Sequence, residues 1–419
     1  MKVLVVGGGG REHTIVKKIS VSPNVDHIWC APGNGGIASL AECVDIKATD
    51  LPAITAFCLE HRPDLVMVAP DDPLVLGLVD ALEELGIRAF GPRANAAIVE
   101  GSKSFAKKFM QENNIPTASY AVFTDADAAI AYVKEQGAPI VIKADGLALG
   151  KGVTVAMTEA DAIDAIKNAM CDGAFGDAGS RVVIEEFLTG PEVSVLCFTD
   201  GETIVPMPSA QDHKRAFDHD EGPNTGGMGA FSPSRYYTAD LAKECMETIF
   251  RPTVDGLTKA GRRFQGVLYF GLMLTPNGPK VIEYNARFGD PETQAVLPLL
   301  ETDFVTVMEA IIDRKLADIE VKFSDNAACC VVLASGGYPG KYTTGYEISG
   351  IADADALDGV TVYHAGTKKT ESGVATAGGR VLGVTARGED LDAAIKNAYA
   401  ATELISFTDL HKRTDIGIK

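Results

Sequence analysis

The N-terminal part of the chain alternates between short apolar runs and segments with helical spacing. Lys2–Val6 and Leu65–Ala69 are continuous apolar runs of strand length, and Leu51–His61 between them has the spacing of a helix. Such alternation predicts βαβ units and a parallel sheet, so we expect an α/β domain here. Ligands of parallel sheets bind beyond the carboxyl ends of the strands, and two glycine-rich turns, Gly7–Gly10 and Gly33–Gly36, follow such ends.

Beyond this part, predicted hairpins become as frequent as helices. Asp200-Gly201 and Pro276-Asn277-Gly278 separate pairs of apolar strands, and a last strand-rich segment begins near Ala327. The stretch 208–234 is polar and glycine-rich, and we predict a long functional loop there. The expected architecture is an α/β domain over 1–101, an α+β domain over 102–325 with a small subdomain at about 118–190, and a mixed strand and helix domain over 326–419.

Composition and charge narrow the kinds of partner that the chain can have. Lys and Arg number 38 and Asp and Glu 57, which leaves a formal net charge of −19. That balance argues against nucleic acid and anionic membrane as partners, and no run of about 18 apolar residues exists that would span a bilayer. The seven His and eight Cys show neither HExxH nor CxxC spacing, so a zinc site is not indicated. We expect small-molecule substrates and a cytoplasmic location.

The first glycine-rich turn has the composition of an anion-binding site. Gly7-Gly8-Gly9-Gly10 stands between the first strand and the first helix, where backbone N–H groups point towards a ligand. A dinucleotide fingerprint would need a third glycine where Glu12 stands, and the second strand ends in Cys30-Ala31-Pro32 without a ribose-binding acid. The turn therefore favours a phosphate or phosphosugar over NAD. A tight turn that only lets the helix pack against the sheet is the alternative.

A second glycine-rich segment, Ile140–Val153, places a lysine beside a predicted hairpin loop. Lys143 ends a strand, and Gly146, Gly150 and Gly152 follow it. The segment is not a P-loop, because Gly152 stands where a Ser or Thr would bind magnesium. A glycine hairpin that folds over a triphosphate, with Lys143 aimed at phosphate, is the functional interpretation. A lysine that extends along the surface is the alternative.

Polar side chains alternate with apolar ones over Val281–Arg287. Because the side chains of a strand point alternately to two faces, Glu283, Asn285 and Arg287 are expected to share one face. Carboxylate and amide oxygens suit Mg²⁺, and arginine binds phosphate with two hydrogen bonds. Glu and Asn are poor strand formers, which favours a metal and phosphate site over an ordinary solvated face.

The long polar stretch contains two further signals. Asp212-His213-Lys214-Arg215 supplies charge, and Gly222–Gly229 supplies backbone N–H groups. Together they predict a lid that closes over a reacting phosphate. The alternative is that the basic triplet is only a solvated surface and the glycine stretch only a flexible loop.

These motifs together resemble the ATP-grasp superfamily, and the chain resembles its phosphoribosylamine–glycine ligase family from end to end. The stretches that carry the resemblance are GGGGREH, APGN, IVIKADGLALGKGV, VIEEFL, QDHKR, GPNTGGMGAFSP, EYNARFGDPETQ, HAGT and TDIG. The resemblance implies a pre-ATP-grasp domain, an ATP-grasp domain with a hairpin lid subdomain and a C-terminal domain. It also implies that ATP, with Mg²⁺ or Mn²⁺, phosphorylates glycine. The amine of 5-phosphoribosylamine then displaces phosphate to give glycinamide ribonucleotide, a step of purine biosynthesis.

The resemblance also assigns roles to residues. Asp212, Lys214 and Arg287 would be catalytic, and Glu283 and Asn285 would bind the metal. ATP would contact Lys143, one of Lys103 and Lys107, and also Gly146, Gly150, Gly152, Glu185, Glu186, Leu188 and Glu192. Glycine and phosphoribosylamine would contact Gly8, Gly9, Gly10, Asn34, Asp212, His213, Arg287 and Gly289. The chain departs from the family at Asp71, where Glu is usual, and at Leu149, where Ala is usual.

Three alternatives remain at this point. Another ATP-grasp ligase of purine synthesis would use a different acceptor. A nicotinamide-dependent oxidoreductase would need the ribose-binding acid that the N-terminal part lacks. A catalytically inactive nucleotide-binding module would not need the complete set of Lys143, Glu283, Asn285 and Arg287. We expect the protein to be a monomer.

Overall fold

The computed structural model describes residues 1–147 and 152–418. The N-terminal elements are β1 (Lys2–Gly7), α1 (Gly10–Ser20), β2 (His27–Pro32), β3 (Glu42–Cys43), α2 (Leu51–His61), β4 (Leu65–Val68), α3 (Asp71–Val75), α4 (Leu78–Glu84), β5 (Ala89–Phe90) and α5 (Ala94–Gly101). The five strands form one parallel sheet in the order β3-β2-β1-β4-β5, which confirms the predicted α/β class. The chain changes direction across the sheet at β1, so a ligand crevice is expected beyond its carboxyl end, at Gly7–Gly10.

One predicted helix of this region is wrong. The pattern predicts a single helix over Leu74–Leu85, whereas the structure has α3 and α4 with a break between them. Gly77 at the break has a positive φ of 89°, a conformation that glycine adopts without steric cost and that ends a helix.

A small antiparallel sheet follows. Its region comprises α6 (Lys103–Glu112), β6 (Tyr120–Phe123), α7 (Ala126–Gln136), β7 (Ile140–Ala144), β8 (Val153–Ala156), α8 (Glu159–Met170) and β9 (Val182–Glu186). The strand order is β6-β9-β7-β8, and α7 and α8 bury their apolar faces against the sheet around Ile142, Ile166 and Ile184. This separate core makes the sheet with α7 and α8 a small subdomain, in which β7 and β8 form a hairpin, whereas α6 packs into the core shared by the N-terminal and central regions.

The central region carries a second antiparallel sheet. Its elements are β10 (Glu192–Thr199), β11 (Ile204–Pro206), β12 (Gln211–Asp212), β13 (Arg215–Phe217), β14 (Glu221–Asn224), β15 (Gly229–Ser232), α9 (Ala239–Cys245), α10 (Arg251–Lys259), β16 (Gly266–Thr275), β17 (Gly278–Asn285), α11 (Glu292–Val296) and α12 (Phe304–Ile312). The sheet has the order β11-β10-β16-β17, and the hairpin predicted across Asn277 is present as β16 and β17. A π-helical turn over Met246–Phe250 joins α9 and α10.

The C-terminal elements are β18 (Ala327–Ser335), α13 (Ile351–Asp355), β19 (Val360–His364), β20 (Thr367–Lys369), β21 (Val374–Thr376), β22 (Arg380–Gly388), α14 (Leu391–Thr402) and β23 (Leu410–His411). Strands β12 and β15 from the central region join the C-terminal sheet, whose order is β12-β15-β18-β22-β19. The prediction of a long loop over 208–234 is therefore wrong. Strand β15 pairs with β18, which lies far away in sequence, and β12 pairs with β15, so the segment 209–229 is anchored at both ends. Between these strands, β13 and β14 form a separate two-stranded hairpin.

In the part of the chain that the structure describes, no helix combines the length and the apolar character that crossing a bilayer requires.

Candidate active site

The two predicted metal ligands lie on one face of the central sheet. Glu283 pairs across β16 with Gly271, and Asn285 pairs with Tyr269. The register shifts next to Gly271, which leaves Ile282 as an extra, bulged residue. The bulge turns the Ile282 carbonyl towards the subdomain, where it accepts a hydrogen bond from Lys143 Nζ at 2.8 Å.

This face fits a hard divalent cation. Glu283 and Asn285 present a carboxylate and an amide oxygen side by side, which are donors that Mg²⁺ and Mn²⁺ accept. Gly271 keeps the space next to them open, because a Cβ there would lie 2.9 Å from Glu283 Cγ. Among residues 1–147 and 152–418, no group of three or more His, Cys, Asp or Glu side chains is placed to hold a metal. A cation at this face would therefore need further oxygen ligands from a bound molecule.

Lysines of α6 and β7 lie opposite the face of the central sheet that carries Glu283 and Asn285. Lys107 Nζ and Lys143 Nζ both pair with the buried carboxylate of Glu185, at 2.7 and 2.9 Å. Burial lowers the pKa of Lys107 to about 8, although Glu185 opposes the shift. Lys107 also donates to Thr117 Oγ1 at 2.7 Å, and Thr117 in turn donates to the Val281 carbonyl. This chain of contacts holds the subdomain lysines against β17.

Lys103 lies beside the glycine hairpin. Its Nζ donates to the Gly146 carbonyl at 2.7 Å, and burial lowers its pKa although Glu283 opposes this. Gly146 has a φ of 145°, and Gly152 closes the hairpin by accepting the Ala144 N–H at 2.8 Å. Gly150 and Leu149 lie outside the described residues.

The backbone at the end of β9 is placed beside this lysine group. Glu186 accepts from Ser119 Oγ at 2.8 Å and pairs with Lys280 at 3.5 Å, so its side chain is not part of the lysine group. The space between this group and the face with Glu283 and Asn285 is called the crevice below. Leu188 is buried. Glu192 begins β10 on the same face as Glu283 and forms an ion pair with Lys214.

The side chains of Asp212 and Lys214 lie close to Glu283 on the same face of the central sheet. Lys214 Nζ lies 3.9 Å from both Asp212 Oδ1 and Glu283 Oε1 and closer to Glu192. Burial raises the pKa of Asp212 to about 8, although Lys214 opposes it. Burial also disfavours ionisation of Glu283, but Lys214 and Lys143 outweigh this and lower its pKa.

Arg287 lies two residues beyond the end of β17 at Asn285, and its charge helps to lower the pKa of Glu283 on the neighbouring strand face. Its Nη2 pairs with Glu100 Oε1 at 2.7 Å and approaches Asp71 Oδ2 at 3.6 Å. Asp71 stands at a position where the resemblance implies Glu, and its carboxylate comes within 4 Å of the guanidinium. Burial opposes the charge of Arg287, but Glu100 and Asp71 outweigh it and raise the arginine pKa.

The glycine turn after β1 is packed tightly. A Cβ on Gly8 would lie 2.4 Å from the Gly33 carbonyl, and one on Gly10 would lie 2.6 Å from Gln294 Nε2. The N–H of Gly9 donates to Glu12 Oε2 at 2.6 Å, so the residue that breaks the dinucleotide fingerprint caps the helix.

Asn34 has a structural use that the sequence did not indicate. Its amide donates to the carbonyls of Gly8 and His364 at 2.9 and 2.8 Å, and its Oδ1 accepts from the N–H groups of Gly36 and Ile37. The side chain expected to face a substrate therefore connects the glycine turn to the C-terminal region.

Two other predicted substrate residues are packed rather than open. His213 is buried, and its ring lies 5.9 Å from that of Phe231. Gly289 lies against Glu292, since a Cβ there would be 2.5 Å from Glu292 Oε2.

A buried polar group on the same sheet face was not predicted from the sequence. Tyr269 Oη donates to Glu292 Oε1 at 2.9 Å and lies 2.7 Å from Ser194 Oγ, and all three side chains are almost inaccessible. The alternation of β16 gives a signal, because Tyr269 shares its face with Gly271, but nothing in the sequence pairs it with Glu292.

Two antiparallel sheets with lysines on one and metal-type ligands on the other, next to a parallel N-terminal sheet, define the class of ATP-grasp proteins. Models of phosphoribosylglycinamide synthetase match three successive ranges: the N domain over 1–100, the ATP-grasp (A) domain over 101–293 and the C domain over 328–419. The chain belongs to the phosphoribosylglycinamide synthetase family.

Relatives cover the whole chain. Phosphoribosylamine–glycine ligases of Vibrio parahaemolyticus and Halalkalibacterium halodurans are each 49% identical to it, across 100% of this chain and 98% and 97% of theirs. The crystal structure of phosphoribosylamine–glycine ligase from Thermotoga maritima matches with a TM-score of 0.87 and 31% identity over 100% of both chains. A biotin carboxylase of Campylobacter jejuni shares the fold, with a TM-score of 0.75 and 15% identity over 98% of this chain and 92% of that one.

Proposed function

We propose that the protein ligates glycine to 5-phosphoribosylamine with ATP and releases glycinamide ribonucleotide, ADP and phosphate. The observation that supports this proposal most strongly is that two lysines, Lys143 and Lys214, lie next to Glu283 between the two antiparallel sheets. Neither an exposed cysteine nor a serine–histidine pair is needed, because phosphorylation by ATP supplies the leaving group. Catalysis by positioning and charge stabilisation is the chemistry that this arrangement supports.

Nucleotide would bind between the subdomain and the central sheet. We assign its phosphates to Lys143 and Lys107, which share Glu185, and to Lys103, which lies next to Gly146. Gly146, Gly150 and Gly152 would contact the phosphates as well. Backbone at Glu185, Glu186 and Leu188 would contact adenine, and Glu192 the ribose hydroxyls. Glu283 and Asn285 would hold Mg²⁺ or Mn²⁺, which neutralises charge on the phosphates when bound.

In the first step a carboxylate oxygen of glycine attacks the γ-phosphorus, the bond to ADP breaks, and glycyl phosphate forms. Lys214 and Arg287 would balance the charge of the transferred group. In the second step the amine nitrogen of phosphoribosylamine attacks the acyl carbon, and the bond to phosphate breaks. Asp212, with its pKa near 8, is suited to accept the proton that the amine loses.

Phosphoribosylamine would lie along Gly8, Gly9 and Gly10 and would also contact Arg287 and Gly289. Since the Asn34 side chain is engaged within the protein, we propose that Asn34 shapes this turn and does not contact the substrate with its amide. His213 would act in the same indirect way. We further propose domain boundaries near residues 101 and 326, a monomer and a cytoplasmic location.

The test is a coupled assay of phosphate release from ATP with Mg²⁺, glycine and phosphoribosylamine generated in place. We expect release to need both acceptors and glycinamide ribonucleotide to appear in the products. Release that is indifferent to phosphoribosylamine would contradict the proposed acceptor.

A further inference from the structure

Lys214 contacts two carboxylates that, in the proposed function, bind the ribose of ATP and the metal ion. It forms an ion pair with Glu192, the proposed ribose acceptor, and lies 3.9 Å from Glu283, the proposed metal ligand. Glu192 begins β10 and Glu283 lies near the end of β17, with β16 between the two strands. One flexible ammonium therefore bridges the ribose side and the phosphate side of the crevice.

Two of the three carboxylate contacts of Lys214, those with Glu192 and Glu283, are easy to exchange, whereas the third partner, Asp212, is 7% exposed. The Lys214 side chain is 36% exposed, and those of Glu192 and Glu283 are each 34% exposed. An ion pair between partly exposed side chains has only a small net stability, because water and ions compensate most of the attraction. Neither contact is locked by burial, in contrast to the pair of Lys107 with Glu185, whose side chains are each 3% exposed.

The backbone around Lys214 is nevertheless fixed. The N–H of Thr225 donates to the Lys214 carbonyl at 2.7 Å, and the flanking residue His213 exchanges backbone hydrogen bonds with Gly229 and Met228. Motion is thus confined to the four-carbon side chain. Lys214 can change partners without movement of the segment that carries it.

We propose that Lys214 is an exchangeable internal counter-cation, which occupies Glu192 and Glu283 until nucleotide takes them and then turns its ammonium to the terminal phosphate. This inference rests on the proposed function for the roles of Glu192 and Glu283. It adds that the same lysine opposes binding of the nucleoside part and favours binding of the phosphate part. A lysine that only stabilises the crevice would affect both parts in the same direction.

The test compares adenosine with ATP. Equilibrium dialysis of the full chain gives the Kd of each ligand for wild type and for Lys214→Met. We expect Lys214→Met to bind adenosine about two- to fivefold more tightly, the fold-change that corresponds to losing a competing, partly exposed ion pair. The same variant should bind ATP more weakly. Lys134→Met is the control, since it removes an exposed lysine of α7, and adenosine affinity should stay within about twofold.

A double-mutant cycle covers the case in which Lys214→Met folds poorly. Lys214→Gln in a Glu192→Gln background should have no effect on adenosine affinity, because the competing pair is already absent. Unchanged or weaker adenosine binding by a folded Lys214 variant would overturn the exchange. Failure of wild type to bind either ligand would instead overturn the proposed function itself.

Discussion

At the residue scale, the candidate site is a set of cations and carboxylates that restrain one another. Lys143 has two protein partners, the Glu185 carboxylate and the Ile282 carbonyl, so its ammonium is held between the subdomain and β17. A lysine fixed in this way needs little reorganisation when it meets phosphate. In the proposed function, Lys143 contributes through the charge of its ammonium group next to phosphate and not through the packing of its side chain.

Replacement of Lys143 by Ala should therefore weaken the binding of ATP and leave the binding of glycine unchanged. We expect the KM for ATP to rise about tenfold or more, the effect of losing one hydrogen bond to a charged group, with the KM for glycine within about twofold. Steady-state kinetics with each substrate varied in turn measures both. Lys134→Ala on the exposed face of α7 is the control and should leave both constants unchanged. An equal effect of Lys143→Ala on ATP and glycine would contradict the assignment.

At the element scale, the bulge in β17 and the missing side chain of Gly271 place the proposed metal ligands. The bulged Ile282 shifts the alternation by one residue, so Glu283 faces the crevice opposite Gly271. The same shift releases the Ile282 carbonyl to Lys143. Two features of one hairpin thus set both the carboxylate and its neighbouring cation.

A methyl group at Gly271 should disturb the site more than the fold. Its Cβ would lie 2.9 Å from Glu283 Cγ, which forces the Glu283 side chain to move. We expect Gly271→Ala to lower kcat about tenfold or more and to raise the Mg²⁺ concentration needed for half-maximal rate. Met273→Ala on the same strand and face is the control for altered packing. A wild-type Mg²⁺ titration for Gly271→Ala would show that the spacing is unimportant.

Sequence patterns were sufficient for elements whose own residues carry the signal, and insufficient where only a distant partner creates the element or the contact. Periodicity gives the parallel sheet and the hairpin of β16 and β17, because the apolar spacing and turn residues are adjacent in the chain. It does not give β15, since the polar stretch becomes a strand only by pairing with β18. Nor does it give the Glu100 partner of Arg287, because α5 and the residues that follow β17 meet only in the folded chain.

At the scale of the whole molecule, the C-terminal region holds the other two against each other. Arg380 Nη2 pairs with Asp290 at 2.9 Å, and Arg380 Nη1 donates to the Gly226 carbonyl at 2.8 Å. His364 donates its N–H to His13 Nδ1 of α1 at 2.7 Å, so the glycine turn is backed by a buried pair of histidines. The C-terminal region is therefore part of the site framework.

The histidine pair makes this junction sensitive to acid. Burial, with a smaller contribution from the facing His364, lowers the pKa of His13 to about 3, and burial lowers that of His364 to about 4 although Asp355 opposes it. The packed groups that face them are Tyr363 and Thr367. Both folded-state pKa values lie below the ordinary 6.5, so the stability that the neutral pair provides is present above pH 6.5 and is lost as the pH falls towards 4.

His13→Gln should reduce that loss, because glutamine keeps an oxygen acceptor for the His364 N–H and does not titrate. We expect its melting temperature to fall less than that of wild type between pH 7 and pH 5, measured by calorimetry. His27→Gln, at a largely exposed position, should behave as wild type. Identical pH dependence in His13→Gln and wild type would refute this account of the junction.

Glycyl phosphate is the central intermediate of the proposed reaction, and oxygen-isotope transfer tests its formation directly. Glycine labelled with ¹⁸O in its carboxylate is turned over with ATP, Mg²⁺ and phosphoribosylamine, and the released phosphate is analysed by ³¹P NMR. If the carboxylate oxygen attacks the γ-phosphorus and leaves with it, each released phosphate carries one ¹⁸O atom. Phosphate without label, alongside glycinamide ribonucleotide in the products, would contradict the mechanism.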